Sequence, residues 1–588
     1  MGDFELRIVK QMLKVLCCSF LFLFPVLISA QTISIDENFS DWESISSFYD
    51  DASGDNSGYP IDFKTLKIYN DDLYIYFYLE VGEEINLQEG NNISLLIDLD
   101  SNSETGEFFS GIGYEFIFNF GQRSGRFYDP QSSGFNSYDI GLVTAPTVTS
   151  SVFEMKIDRA AEIDGTSLFT SGSFDFMIRS SESNGDLLPD NGSGTLTYAF
   201  NDENIYEAEN YSLKKRNPND LRVLSYNVER DNLFNPSAKE NFRRIFQAID
   251  ADIIGLEEVY ENSGEQAASL IEEFLPSETG EQWYSGDVGN DNLIVSRYPV
   301  IKQKSLSGNA AYLLDLGDRK LLAVVAHPPC CQNNDGRQRE IDEFMAFVRD
   351  SKSGSEFDIE ENTPIVIMGD MNLVGLADQQ TTLITGDITD ESSYGSDFIP
   401  DWDNTNLEDL KPVNPGLPTT FTWYSSGSSF SAGRLDYMVY TGSVMEAENA
   451  FSLHTPEMHP DSLVAYGLQK EDVVLASDHL PIVGDFSFKI PTGNEETGMI
   501  PADFQLFQNY PNPFNPSTTI HFQLQRAAFI KLEIFDALGR KVETLLEGKK
   551  GGGLQAVNFD ASSYSSGIYY YMLTIDEASV TKKMILVK

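Results

Sequence analysis

Between residues 31 and 200 apolar and polar positions alternate with a period of two. Leu73-Tyr74-Ile75-Tyr76-Phe77-Tyr78-Leu79 and Tyr114-Glu115-Phe116-Ile117-Phe118-Asn119-Phe120 are the strongest runs, and Ser, Gly and Asp clusters separate them. This pattern predicts a β-sandwich. From Leu221 the period changes. Leu221 to Val228 reads as a strand, Phe242, Ile245, Phe246 and Ile249 recur at helical spacing, and Asp252 to Val259 is a strand again. The unit returns in strand Leu321 to Ala326, helix positions Ile341, Phe344, Met345 and Val348, and strand Pro364 to Met368. Such alternation predicts a sheet covered by helices. Period-two alternation resumes in Phe529 to Phe535 and Ile568 to Ile575, with a break at Gly551-Gly552-Gly553. Polar stretches divide the three regions. The expected organisation is a sandwich at 31–200, a linker at 201–219, an α/β domain at 220–488, a linker at 489–503 and a small β domain at 504–588.

A chain of 588 residues is too long for one core, in keeping with that division. Its first 30 residues read as a secretory signal. Arg7, Lys10 and Lys14 make a basic start, Val15 to Ile28 is apolar, and Ile28-Ser29-Ala30 suits cleavage before Gln31. The apolar run falls short of the roughly 20 residues that span a bilayer, and no transmembrane helix is expected later. The net charge is −51. So acidic a chain repels polyanions at long range, which argues against tight sequence-independent nucleic-acid binding. It leaves room for catalysis on a phosphodiester, because a bound divalent cation reverses the local field. After signal removal only Cys330 and Cys331 remain, so there is no disulfide framework. The pair reads as two small residues beside a strand end, with a vicinal disulfide or soft ligands as the alternatives.

Four short motifs end apolar runs in this middle region: Ser225-Tyr226-Asn227-Val228, Gly255-Leu256-Glu257-Glu258, Gly369-Asp370-Met371-Asn372 and Ser477-Asp478-His479. Asn227, Glu258 and Asp478 offer oxygens to a hard cation such as Mg2+ or Mn2+. Asp370 and Asn372, two apart after a strand, suit orientation of a water and donation to a phosphoryl oxygen. His327 and His479 suit proton donation and electrostatic clamping. A lone Asn or Asp at a strand end is usually a turn or cap residue. Paired ionisable residues so near apolar strands are costly unless used. The other three histidines, His454, His459 and His521, are expected at the surface, and Trp423 in a core, with a substrate wall as its alternative.

On these motifs, residues 220–488 resemble the endonuclease/exonuclease/phosphatase superfamily, which includes secreted deoxyribonucleases, neutral sphingomyelinases, inositol polyphosphate phosphatases and abasic-site nucleases. The matching stretches include Asn292-Leu293-Ile294-Val295-Ser296-Arg297 and Arg434-Leu435-Asp436-Tyr437. The resemblance implies a central four-layer α/β sandwich of the deoxyribonuclease I type. It makes His327, Asp370, Asn372, Asp436 and His479 catalytic, with Asp436 hydrogen-bonded to His479. It places Glu258 as the main magnesium ligand, beside Asn227 and Asp478. Two features depart from the pattern. His327-Pro328-Pro329-Cys330-Cys331 stands where many members have His-Leu, and the carboxylate supporting His327 is left open between Asp287 and Asp291.

The flanking regions carry signals of their own. Asp98, Asp100, Asn102 and Glu104 place oxygens at alternate positions, a spacing that suits Ca2+. Residues 33–200 resemble modules similar to carbohydrate-binding family 9, on Ile35 to Trp42, Asp72 to Ile75 and the Asp98 loop, which implies a glycan as partner; Trp42 is expected in the core. Residues 504–588 resemble the C-terminal sorting domain of type IX secretion, on Asn509-Tyr510-Pro511-Asn512-Pro513-Phe514-Asn515-Pro516, Leu538-Gly539-Arg540 and Ser566-Gly567-Ile568-Tyr569. That resemblance implies the type IX machinery as partner and a secreted or surface location on a Gram-negative bacterium. Together these readings describe a secreted, metal-dependent phosphoesterase. Extracellular nuclease is the first substrate reading, against a balance of 46 acidic to 17 basic residues over 220–488. The alternative is a surface glycan-binding or adhesive protein with a non-catalytic phosphoesterase-like domain.

Overall fold

The computed structural model describes residues 32–489 and 504–588, apart from 56–59, 129–131, 181–184, 191–192, 209–210, 507–508, 510–511, 513, 525, 527, 537–539, 552 and 576–577. The expected signal and nearly all of the second linker lie outside them. The described residues up to Lys489 form one compact unit and those from Phe504 a second. No helix among the described residues is long and apolar enough to cross a membrane.

The α/β part of the first unit is built on two six-stranded sheets. The first runs in the order Tyr284–Asp287, Leu293–Ser296, Ile253–Glu257, Leu221–Asn227, Ile482–Phe488, Met445–Ser452. The second runs Val300–Leu306, Asn309–Asp315, Lys320–Ala326, Ile365–Asp370, Asp436–Tyr440, Glu408–Asp409. Each has one parallel pair at its centre, Leu221–Asn227 with Ile253–Glu257 and Lys320–Ala326 with Ile365–Asp370, and antiparallel neighbours outside. A parallel pair needs a crossover, and helices Lys239–Ile249 and Asn334–Lys352 supply it.

Alternation along each strand decides which core it joins. Val223 packs with Ile253, Val325, Val366 and Met438 in a core shared by the two sheets. Leu224 and Tyr226 face the other way, onto Phe242, Ile245, Phe246 and Ile271 of the helices. In the second sheet, Leu322, Val324, Ile365 and Ile367 pack on Ile341, Phe344, Met345 and Val348. Residues buried on both faces explain why the central strands read as continuous apolar runs.

The N-terminal part is two facing antiparallel sheets. One runs Tyr49–Asp50, Thr65–Asn70, Tyr74–Ile85, Ser150–Asp158, Val143–Ala145, and the other is centred on Ser173–Ser180, Ile93–Asp98 and Phe116–Asn119. Along Tyr74–Ile85 the residues Ile75, Phe77, Leu79 and Val81 enter the sandwich core. Tyr74 and Tyr76 lie on the opposite face, in one apolar cluster with Phe421, Phe451 and Leu453 of the α/β part. Trp42 is fully buried, its indole N–H donating to Glu154 at 3.1 Å. The segment after the sandwich is also anchored: Leu213 is buried and Lys215 pairs with Asp252 at 2.6 Å.

In the second unit, strands Phe504–Leu506, Ser517–Leu524 and Gly553–Asp560 form one sheet. Lys541–Lys550, Ala528–Asp536, Gly567–Ile575 and Ala578–Leu586 form another. Ile520, Phe522, Ile530, Leu532, Tyr571 and Leu573 share their core. The described residues of the proline-rich signature are tied in. Asn509 donates from its backbone to the Tyr571 hydroxyl at 2.8 Å, and Asn512 accepts from the Ile585 N–H at 2.8 Å.

Candidate active site

The parallel pairs bring four strand ends to one edge. Asn227 and Asp370 are the last residues of their strands, Glu258 is one residue past the end of Ile253–Glu257, and His327 follows Ala326. Antiparallel Asp436–Tyr440 starts where its neighbour ends, with Asp436 opposite Asp370. Asp478 and His479 precede Ile482–Phe488, beside Leu221–Asn227. Gly369 permits this convergence. Its φ is +140°, and a Cβ there would lie 1.9 Å from the Ala326 carbonyl oxygen, a conformation and an approach open to glycine.

Asp370 is the hub. Its Oδ2 accepts from Asn227 Nδ2 at 3.1 Å and lies 3.5 Å from Nε2 of His327 and 3.4 Å from Nε2 of His479; its Oδ1 accepts from the Asn372 N–H at 3.0 Å. Both imidazoles are held from behind. Nδ1 of His327 is 2.6 Å from Asp291, and Nδ1 of His479 is 2.9 Å from Asp436. Each carboxylate accepts the Nδ1–H and so turns Nε2 to the site. Asn372 donates to the Pro328 carbonyl at 3.0 Å, holding the segment after His327 in place. Glu258 accepts from Asn227 Nδ2 at 3.2 Å and from the Arg230 N–H at 3.0 Å, and its Oε1 is 3.9 Å from Nε2 of His327. These groups open on a cavity of about 800 Å³.

Electrostatics favour cations here. Burial pulls the His327 imidazolium down, but its bond to Asp291 and the charges of Asp370 and Glu258 outweigh burial and hold it up at about 9. His479 is held up at about 10, with burial outweighed by Asp436 and Asp370. Burial raises the Glu229 carboxyl, and the nearby charges of Asp478 and Glu258 raise it further. Glu229 thus feels both Asp478 and Glu258, whose carboxylate oxygens are of the kind a hard divalent cation takes, while the ligand-type atoms that lie within 4.8 Å of one another at this edge are those of Asp370, Asp436 and His479. Asn227 turns its amide N–H toward the acids and its oxygen to the Glu229 N–H at 3.0 Å.

Glu258, His327, Asp370, Asn372 and His479 line one cavity, with Asn227 bonded to Glu258 and Asp370 and with Asp436 behind His479. Asp478 meets the Trp423 indole N–H at 3.1 Å. The partner of His327 is Asp291; Asp287 instead accepts from the Gly264 N–H at 2.9 Å. Three expectations are corrected. Trp423 is half-buried in the cavity wall. His454 is only 2% exposed, between Phe421 and Tyr424. Cys330 and Cys331 are joined in a vicinal disulfide on the cavity wall; their adjacency alone does not distinguish bonded from free. Glu229 was missed because it lies outside the motif ending at Val228.

In the Asp98 loop, Asp98 and Asp100 come together with Glu115, their ligand-type oxygens within 4.8 Å of one another. Asn102 accepts from the Glu104 N–H at 3.2 Å, and Glu104 is exposed. Glu115, in the bend between strands Ile112–Tyr114 and Phe116–Asn119, keeps Oε1 buried without a hydrogen-bond partner.

Residues 224–479 match the Endonuclease/Exonuclease/phosphatase family, and residues 508–588 match the Secretion system C-terminal sorting domain. No curated protein matches the chain. Similar solved structures include a humanized D. rerio TDP2 (12% identity, 46% of this chain and 99% of that one, TM-score 0.29). The human Nocturnin catalytic domain is another (16%, 46% and 95%, TM-score 0.29). So is sphingomyelinase C from Streptomyces griseocarneus (14%, 45% and 99%, TM-score 0.29).

Proposed function

Starting from the endonuclease/exonuclease/phosphatase domain that this chain carries and the sorting domain behind it, we propose that the protein is an exported, divalent-metal-dependent phosphoesterase. Its catalytic body is a helix layer, two sheets and a second helix layer. The carrying observation is the pair of imidazoles, each backed by a carboxylate and both turned onto Asp370 at 3.4–3.5 Å.

Glu258 would hold the cation, with Asn227 and Asp478 as the other oxygen donors. Bound there, a magnesium-type ion polarises the phosphoryl group and stabilises charge on the leaving oxygen. Asp370 orients a water toward phosphorus and takes its proton. His327 and His479, both cationic, hold the phosphoryl oxygens. Asn372 has one amide N–H on Pro328 and a second for a phosphoryl oxygen. His479 delivers a proton to the leaving oxygen as the phosphorus–oxygen bond breaks, and Asp436 stabilises its cationic form. A calcium ion on Asp98, Asp100 and Glu115 would serve stability, supported by the unpartnered Glu115 oxygen.

The test is a panel assay with magnesium, manganese or calcium on DNA, RNA, bis-p-nitrophenyl phosphate, sphingomyelin and phosphomonoesters, with His479→Ala as blank. Turnover of at least one ester above the blank is expected. No turnover of any would leave the non-catalytic reading.

A further inference from the structure

We propose that the N-terminal sandwich forms one wall of the substrate cavity and confines it to compact esters with a single phosphoryl group and an uncharged, partly apolar substituent. This rests on the phosphoesterase reading and names its substrate class.

The wall is the loop after strand Tyr74–Ile85, and it is held on both sides of the catalytic edge. Asn86 Nδ2 donates to the Val374 carbonyl at 2.9 Å, two residues past Asn372. Gln88 Oε1 accepts from the Ser431 N–H at 2.9 Å, and Ser431 Oγ meets Thr144 Oγ1 of the sandwich at 3.2 Å. Arg123 donates to the Gln88 carbonyl at 2.8 Å, and its guanidinium stacks 4.0 Å from the Phe430 ring. Thr147 donates to the carbonyls of Leu373 and Arg434, at 2.8 and 3.1 Å. The loop also braces itself, with Asn91 Nδ2 on the Asn86 and Leu87 carbonyls at 2.7 Å each. Asn86, Gln88, Glu89 and Thr147 thereby line the same cavity as His327, Asp370 and His479.

Size and charge set the substrate class. A volume of about 800 Å³ lies within the range of small-molecule sites, roughly 300–1,000 Å³. A polymer instead needs an open groove with cations along its backbone. Arg230 is the one Lys or Arg among the described residues lining this cavity, against the acids Glu89, Glu258, Asp291 and Glu340 in the same lining. A second phosphate would meet those acids. Phe430, Trp423, Leu435 and Pro329 offer an apolar seat for the remainder of an ester. This departs from the nuclease expectation.

The test uses the full-length chain with magnesium and two variants, Asn86→Ala/Gln88→Ala, which removes both side chains that hold the wall, and Glu89→Lys. Bis-p-nitrophenyl phosphate is compared with a single-stranded oligonucleotide, counted per scissile bond. Binding of phenyl methylphosphonate, read by calorimetry, needs no turnover. Wild type should prefer the small ester by about tenfold or more in kcat/KM. The double variant should raise KM and weaken phosphonate binding about tenfold, with kcat within about twofold. Glu89→Lys should shift the preference toward the oligonucleotide. Equal or better cleavage of the oligonucleotide by wild type, or unmoved KM and phosphonate affinity in the double variant, would overturn the proposal. If phosphonate binds as predicted but no ester is turned over, the activity reading fails and the cavity stands. If esters are turned over and the double variant behaves as wild type, the cavity assignment fails and the activity stands.

Discussion

Replacing Asp436 by alanine should disable His479 while leaving the rest of the site in place. Asp436 is 1% exposed, and its two oxygens lie 2.9 and 3.1 Å from Nδ1 of His479. The variant leaves a buried imidazolium with one unpaired N–H. Breaking a buried pair in this way costs about 3–5 kcal/mol. If about 3 kcal/mol of that is felt in the transition state, at about 1.4 kcal/mol per tenfold the loss in kcat is about 10²-fold. His479→Ala removes the proton donor itself, an effect of about 10²–10⁴-fold. Because Asp436 acts through His479, the double variant should fall within about threefold of His479→Ala. Independent action would multiply the penalties to about 10⁴-fold or more. Steady-state kinetics on bis-p-nitrophenyl phosphate give kcat and KM for wild type, both singles and the double, with thermal melts to show that each folds. KM should move less than kcat, and Asp436→Asn, which keeps an acceptor near Nδ1, should lose less than Asp436→Ala. Multiplying penalties would refute the relay.

Other expectations follow from single features. Glu258→Gln should lower turnover by weakening metal binding, so a magnesium titration should recover part of it; a loss that no magnesium concentration relieves would place the cation elsewhere. Gly369→Ala should be destabilised by about 3 kcal/mol or more, because the new Cβ meets the Ala326 carbonyl at positive φ; an unchanged melting temperature would refute the packing described. Tyr76→Ala should cost about 3–5 kcal/mol and lower the transition of the whole 32–489 unit, since its ring packs between the sandwich and the α/β part; loss confined to the sandwich would contradict their shared core. His454 has burial pulling its pKa down to about 3, below an unfolded value near 6.5. The unfolded chain therefore binds the proton more readily, and stability falls as pH drops through 6.5, by about 2 kcal/mol at pH 5. His454→Phe should flatten the melting profile between pH 6.5 and 4, and an unchanged slope would show that His454 does not carry it. Asp98→Asn with Glu115→Gln should abolish any calcium-dependent rise in melting temperature; a rise that persists would show that the loop is only an acidic turn.

The convergence of the candidate residues was legible because buried parallel strands announce their ends. An apolar run that stops at Asn227, Glu258, His327 or Asp370 marks the one edge where polar side chains meet, and the sheet order places those edges together. Asp291 was not assignable for a different reason. It precedes a strand, and whether it or Asp287 reaches His327 depends on a loop path that spacing does not encode. The sandwich docking was half visible. Ile75, Phe77 and Leu79 account for one buried face of strand Tyr74–Ile85, yet Tyr74 and Tyr76 load the opposite face with large rings. A strand heavy on both faces signals a second partner. Alternation was read as a sandwich alone, which hid the contact that makes the two regions one unit. His454 was misplaced because histidine is usually exposed, and an imidazole with no hydrogen-bond partner between two aromatic rings runs against that prior.

The account depends most on a cation held beside two carboxylate-backed imidazoles. Its most direct test is turnover of bis-p-nitrophenyl phosphate by the purified mature chain as magnesium is removed by chelator and restored, with His479→Ala carried alongside. The account predicts turnover that vanishes in chelator, returns with magnesium and stays well below wild type in the variant throughout. Turnover that persists in excess chelator, or that is equal in wild type and His479→Ala, would contradict it.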